Sequence, residues 1–125
     1  HHAFVPLEED LRYFDGVEMV PPVDPRGERR PDLEGSGQDV SGLTAEEHDT
    51  VRRYTAAMVR TIDRAVGELI GRLKQNGQWE NTVVLFTADH GDYLGDHGCL
   101  RKSHQVTDSL LRVPCLLRLP EDRIP

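Results

Sequence analysis

The chain has 125 residues, enough for one ordinary domain with a core of its own. Fifteen basic residues against twenty-two acidic ones give a formal charge of -7, a balance that argues against a nucleic-acid groove or a polybasic membrane surface. No apolar run approaches a membrane span and no signal peptide is visible. The first residues, His1-His2-Ala3-Phe4, read as mid-phrase, and Pro125 follows a predicted strand closely. The expectation is a piece of a larger protein, with compartment and oligomeric state left open. Cys99 and Cys115 fit neither a disulfide framework nor a zinc ribbon and read as two separate reduced thiols.

In chain order, an extended piece from His1 to Pro6 leads to a short predicted helix over Leu7–Phe14, with Leu7, Leu11 and Phe14 on one face. Residues 16–42 carry half of the eight prolines and read as a long loop, of the kind that covers a site. Thr44 is a natural N-cap, and Glu47 three residues on completes a capping box, so a helix is predicted over 44–76. Apolar residues recur from Val51 through Tyr54, Met58, Ile62, Val66 and Ile70 to Leu73, a stripe that predicts core packing. Arginines 52, 53, 60, 64 and 72 fill the opposite face, read most simply as solvated surface. Asn76-Gly77 supplies the stop.

Residues 82–87, TVVLFT, are β-branched, aromatic or large and apolar without polar alternation. They predict a strand covered on both faces, as in a parallel sheet. A loop over 88–105 follows, then a turn or two of helix over Val106–Leu111, then a second strand over 113–119 with Pro114 near its start. Helix, short loop and buried strand form the αβ half of an α/β unit with a mainly parallel sheet flanked by helices.

The chemistry lies just beyond the first strand. Asp89, His90 and Gly91 place an acid and an imidazole past a strand's carboxyl end, where open α/β sheets hold ligands. A carboxylate and an imidazole suit a divalent cation, but two adjacent ligands cannot complete a shell. By itself the triplet equally fits an Asx turn with an exposed histidine. The following residues 91–98 add Asp92, Asp96 and His97 among three glycines; neither an EF-hand nor a zinc-helix spacing is present, and these three read as loop-shaping hydrogen-bonders. Lys102 is either an ordinary surface lysine or, with the loop folded back over a metal, a point charge for an anionic group.

The passage from Asn81 to Pro120, with D-H-G, L-G-D-H-G, a lysine and R-V-P in that order, resembles the type I sulfatases of the alkaline phosphatase superfamily. The helix before it and the opening His1–Pro6 (similar to a P-H-x-P-F segment) extend the likeness over nearly the whole chain. That resemblance implies Asp89 and His90 as metal ligands, Lys102 as a contact to the sulfate or phosphate oxygens, and His1 as a second contact that assists the leaving oxygen. Ala3 departs from the usual proline, and His1-His2 also has the form of a tag remnant. The implied cofactor is one divalent metal, calcium foremost, with manganese or magnesium as alternatives and zinc for a phosphodiesterase. The implied substrate is a small-molecule or glycan sulfate ester.

The family's C-x-P-S-R nucleophile motif is absent, since Cys99 precedes Leu-Arg-Lys and Cys115 precedes Leu-Leu-Arg. The nucleophile and an Asp-Asp pair are expected upstream, so this piece alone is expected to be inactive. The rival readings are a phosphonate monoester or phosphodiester hydrolase on the same scaffold, a two-zinc phosphodiesterase, and a non-catalytic, metal-stabilised binding module.

Overall fold

The computed structural model describes residues 4–24 and 38–120. His1 and His2 lie outside the described residues, as do residues 25–37 of the proline-rich loop. The described elements run α1 (Glu8–Arg12), β1 (Gln38–Asp39), α2 (Ala45–Gln75), β2 (Val84–Thr87), β3 (Cys99–Leu100), α3 (Asp108–Leu111) and β4 (Cys115–Arg118), with 3₁₀ turns at Trp79–Asn81 and Asp96–Gly98.

The long helix forms as its sequence dictates. The Thr44 hydroxyl accepts the Glu47 N–H at 3.3 Å, and the Glu47 carboxylate accepts the Thr44 N–H at 2.8 Å. Two orphan donors of the first turn are thereby satisfied. Past Gln75 the chain turns at Gly77, whose φ of 67° is the left-handed conformation that glycine adopts without a Cβ clash.

The packing of α2 corrects the expected division into core stripe and solvated face. Tyr54 and Ile62 of the stripe are exposed, whereas Ala57 and His48 are the buried residues of the helix. The arginine face is partly covered instead. Asp10 of α1 is fully buried against it, with Arg60 Nε at 3.2 Å, Arg64 Nη1 at 3.3 Å and the Thr61 hydroxyl donating at 2.6 Å. The Arg60 guanidinium also lies 3.8 Å from the centre of the Tyr13 ring. A buried carboxylate is costly unless paired and hydrogen-bonded, so this cluster fixes how α1 docks.

The sheet also departs from expectation. β2 pairs with β4, and β1 with β3, and both pairs are antiparallel rather than parallel. In β2, burial alternates: Val84 and Phe86 are half-buried on the side shared with Val66 and Ile70 of α2, while Leu85 is 60% exposed. Leu117, directly opposite Leu85, is 59% exposed. An apolar strand with no polar alternation therefore has one covered face within this chain, not two. Arg118 ties the pair to the α2–β2 connection by donating to the carbonyl of Thr82 at 2.8 Å and by stacking 4.2 Å from the Trp79 ring centre.

The densest core lies elsewhere, under the loop between β2 and α3. Tyr93, Cys99 and Leu110 form one buried cluster. This stretch, expected as a loop over 88–105, thus contributes Tyr93 and Cys99 to a buried cluster. Among the described residues no helix is long and apolar enough to cross a membrane.

Candidate functional site

Asp89 and His90 follow β2 directly, and their side chains meet. The Asp89 Oδ1 accepts the His90 backbone N–H at 3.0 Å, which turns Oδ2 toward the ring, 3.5 Å from His90 Nε2. The other ring nitrogen, Nδ1, lies 2.7 Å from the Gly91 carbonyl oxygen. A carbonyl only accepts, so Nδ1 donates to Gly91 and Nε2 is the ring nitrogen on the side of Asp89. Ring orientation fixed by a backbone carbonyl is the arrangement found behind metal-ligating histidines. The Asp89 side chain is 83% exposed while the His90 side chain is only 27% exposed, so the pair has a rooted member and a member facing outward. The exposed histidine of a simple Asx turn is not what forms.

The donor separation can be tested against a shared ion. Donors 3.5 Å apart subtend roughly a right angle at an ion bonded at about 2.4 Å to each, a calcium-like length. At about 2.1 Å, the zinc length, they subtend close to the tetrahedral angle. The pair fits a divalent cation of either size, and one carboxylate oxygen with one imidazole nitrogen is a donor set shared by manganese and zinc as well. Among the described residues no three His, Cys, Asp or Glu side chains are grouped to hold a metal, so Asp89 and His90 supply two donors at most. Lys102 stands exposed on the coil after β3, and it makes no hydrogen bond or ion pair with Asp89 among the described residues. His1 lies outside them.

The neighbouring acids shape the loop, as their spacing among glycines suggests. Asp92 Oδ1 accepts the N–H of Leu94 and of Arg101, each at 3.0 Å. Asp96 Oδ1 accepts the Val23 N–H at 2.9 Å and pairs with Arg52 Nη2 at 2.6 Å, while its Oδ2 accepts the Ser109 hydroxyl at 2.8 Å. Arg52 Nε donates to the Leu94 carbonyl at 3.0 Å, and the His97 N–H donates to Val23 O at 2.8 Å. Leu94, His97 and Arg101 all have positive φ, as does Gly95 at 94°; conformations so unfavourable for side-chain-bearing residues persist because these bonds over-determine the loop. Gly95 has a further reason to be glycine, since a Cβ there would come 2.5 Å from Nδ1 of the buried His48.

Two close approaches hold the site to α3. The Gly91 N–H donates to the Leu110 carbonyl at 2.8 Å, and a Cβ on Gly91 would overlap the Ser109 carbonyl oxygen. Arg52, expected on a solvated face, and Ser109, which has no signal in the sequence, both prove to be partners of the loop. The charge pairing of Arg52 with an acid in L-G-D-H-G had no local signal, because the two residues are 44 positions apart.

The sequence matches the profile of the Sulfatase family over residues 12–123. This chain belongs to the sulfatase family. Over 84 residues, 66% of this chain and 16% of the relative, it is 33% identical to the multifunctional alkaline phosphatase superfamily protein PehA of Trinickia caryophylli. Over 124 residues, 92% of this chain and 25% of the relative, it is 30% identical to an arylsulfatase of Clostridium perfringens. Its fold superposes with a TM-score of 0.71 on the phosphonate monoester hydrolase SpPMH of Silicibacter pomeroyi, at 25% identity, covering 86% of this chain and 24% of that one. The sulfatase-family chain thus spans at most a quarter of the length of the curated relatives named above, and its α/β architecture is a part of the family's fold.

Proposed function

We propose that these residues form the metal- and anion-binding side of a sulfatase active site, in a protein that hydrolyses a sulfate ester of a small molecule or glycan. The observation that carries the reading is the convergence of Asp89 Oδ2 and His90 Nε2 to 3.5 Å, with the ring's other nitrogen already committed to Gly91. Asp89 and His90 would hold one divalent metal, calcium by resemblance to the family, with manganese, magnesium or zinc also compatible with the donors. Such an ion, when bound, supplies Lewis-acid charge stabilisation at the ester oxygens. Lys102, exposed after β3, would offset charge on the transferring group as a point charge. His1 would hold or donate a proton at the leaving oxygen. The nucleophile is proposed to come from outside these 125 residues, since neither cysteine stands in the family's nucleophile motif.

A second reading is favoured by a specific finding. The structural likeness to a phosphonate monoester hydrolase, and the sequence likeness to a multifunctional superfamily member, support a phosphonate monoester or phosphodiester hydrolase on the same scaffold. Assay of the complete protein on aryl sulfate, phosphodiester and phosphonate monoester substrates separates the two. A kcat/KM highest for the sulfate supports the first reading, and one highest for the phosphorus esters supports the second. Lys102→Ala is expected to lower kcat/KM for whichever ester leads by 100-fold or so, on the scale of lost oxyanion contacts. Absence of hydrolysis on every ester, with metal bound, would leave the binding-module reading standing.

A further inference from the structure

We propose that Asp96 and Ser109 are positioning residues for the Asp89–His90 pair, acting through α3. The inference rests on the reading that this pair holds the metal. A continuous run of short contacts supports it. Arg52, rooted in the long helix α2, pairs with Asp96 at 2.6 Å, and both side chains are only 17% exposed. Asp96 accepts the Ser109 hydroxyl at 2.8 Å. Next to Ser109, the Leu110 carbonyl accepts the Gly91 N–H at 2.8 Å, and the Gly91 carbonyl in turn accepts His90 Nδ1–H at 2.7 Å. Each link has one direction in which it works: the carboxylate accepts, the hydroxyl donates, the amide donates, the carbonyl accepts. The α3 helix is four residues long and has no side-chain N-cap of its own, so its placement depends on what grips it. Asp96 and the buried Leu110 provide that grip.

The ordinary alternative is that Asp96 is a fold staple with no bearing on the metal. The fold contains a suitable comparison. Asp10 is also a buried carboxylate paired with arginines of α2, but it joins α1 to α2 through Arg60, Thr61 and Arg64 and bonds neither Gly91 nor α3. If Asp96 is only a staple, its removal should behave like removal of Asp10: lower stability, metal affinity untouched.

The test uses the complete protein that contains these residues. Calcium alone, and then manganese alone, is titrated against a chromophoric chelator well below the unfolding transition, with the unfolding midpoint of each metal-free variant measured alongside. Asp89→Ala should abolish competition. Asp96→Ala should weaken metal binding about 10-fold or more, within the 10–100-fold range of lost supporting partners behind a metal ligand. Asp96→Asn keeps an acceptor but loses the charge pairing with Arg52, and should fall between. Ser109→Ala removes a single hydroxyl and should weaken binding severalfold with little change in midpoint. Asp10→Asn should lower the midpoint and leave metal affinity unchanged. Where Asp96→Ala fails to fold, Ser109→Ala decides. Affinities of Asp96→Asn and Ser109→Ala within twofold of wild type, with Asp89→Ala abolishing binding, would overturn the positioning role and spare the metal site. Wild-type affinity in Asp89→Ala would overturn both.

Discussion

Replacing Gly91 with alanine tests how tightly the site is held to α3. Its Cβ would overlap the Ser109 carbonyl oxygen and stand 3.1 Å from the Ser109 carbonyl carbon and 3.2 Å from Leu110 Cα. All three atoms are backbone, so no side-chain rotation relieves the contact. Either residue 91 or the start of α3 must retreat by about an ångström or more, because methyl groups sit at roughly 3.5–4.0 Å from their neighbours. The Gly91–Leu110 hydrogen bond, 2.8 Å long, cannot survive that movement. Overpacking of this kind costs about 1–3 kcal/mol, and the lost hydrogen bond adds about 1 kcal/mol, for a total of roughly 2–4 kcal/mol. The Gly91 carbonyl moves with its residue and releases His90 Nδ1, so metal affinity should fall about 10-fold or more. Denaturant unfolding and chelator competition on the complete protein measure the two effects. Gly71→Ala is the control: nothing lies within 4 Å of a Cβ there, and in mid-helix the change should be neutral or stabilise by up to about 1 kcal/mol. If Gly91→Ala matched Gly71→Ala in both stability and affinity, the close approach to α3 would not exist in solution.

The remaining expectations concern α2. Thr44→Ala removes one half of the capping box and should lower stability by about 1 kcal/mol, read by urea unfolding. Hydrogen bonds from the Thr44 backbone and then its hydroxyl hold the Glu47 carboxyl below its ordinary value of 4.5. The Arg53 side chain, followed by the Met19 N–H, does the same for Asp49, ordinarily at 3.8. Carboxyls with depressed folded values contribute stability that is fully present above their unfolded values and lost as pH falls through the folded ones. The unfolding midpoint should therefore be level above about pH 5 and drop on acidification below the ordinary carboxylate range, with a smaller drop in Glu47→Gln. Asp10→Asn should cost about 1–3 kcal/mol, less than the loss of a fully buried ion pair because Arg60 and Arg64 can rehydrate; differential scanning calorimetry reads it. An unchanged midpoint in that variant would mean α1 is not docked through Asp10.

Features encoded within a few residues were legible in the sequence. The capping box and the Asn76-Gly77 stop depend on neighbours three or four positions apart, and α2 forms between them as expected. The meeting of Asp89 and His90 was legible because an acid and an imidazole stand side by side directly after an apolar strand. Asp92 and Asp96 were legible as loop-shapers because dense glycines leave backbone amides for carboxylates to bond. Strand direction was not legible: an apolar run shows that a strand is covered, but not which neighbour covers it. Here β2 has β4 beside it in antiparallel register and only one covered face. The roles of Arg52, Arg60 and Arg64 were equally hidden, since their partners Asp96 and Asp10 come from distant parts of the chain, and a helix face rich in arginine looks the same whether water or a buried aspartate meets it. Asp10 resembled an ordinary acid in the first turn of a helix, which it also is.

The metal content of the complete protein decides the central claim most directly. Wild type and Asp89→Ala are purified without chelator, dialysed against trace calcium and manganese, and analysed by inductively coupled plasma mass spectrometry. A divalent ion bound stoichiometrically by wild type and lost from Asp89→Ala, at unchanged secondary structure, is the expected result. Equal metal in both proteins would contradict it.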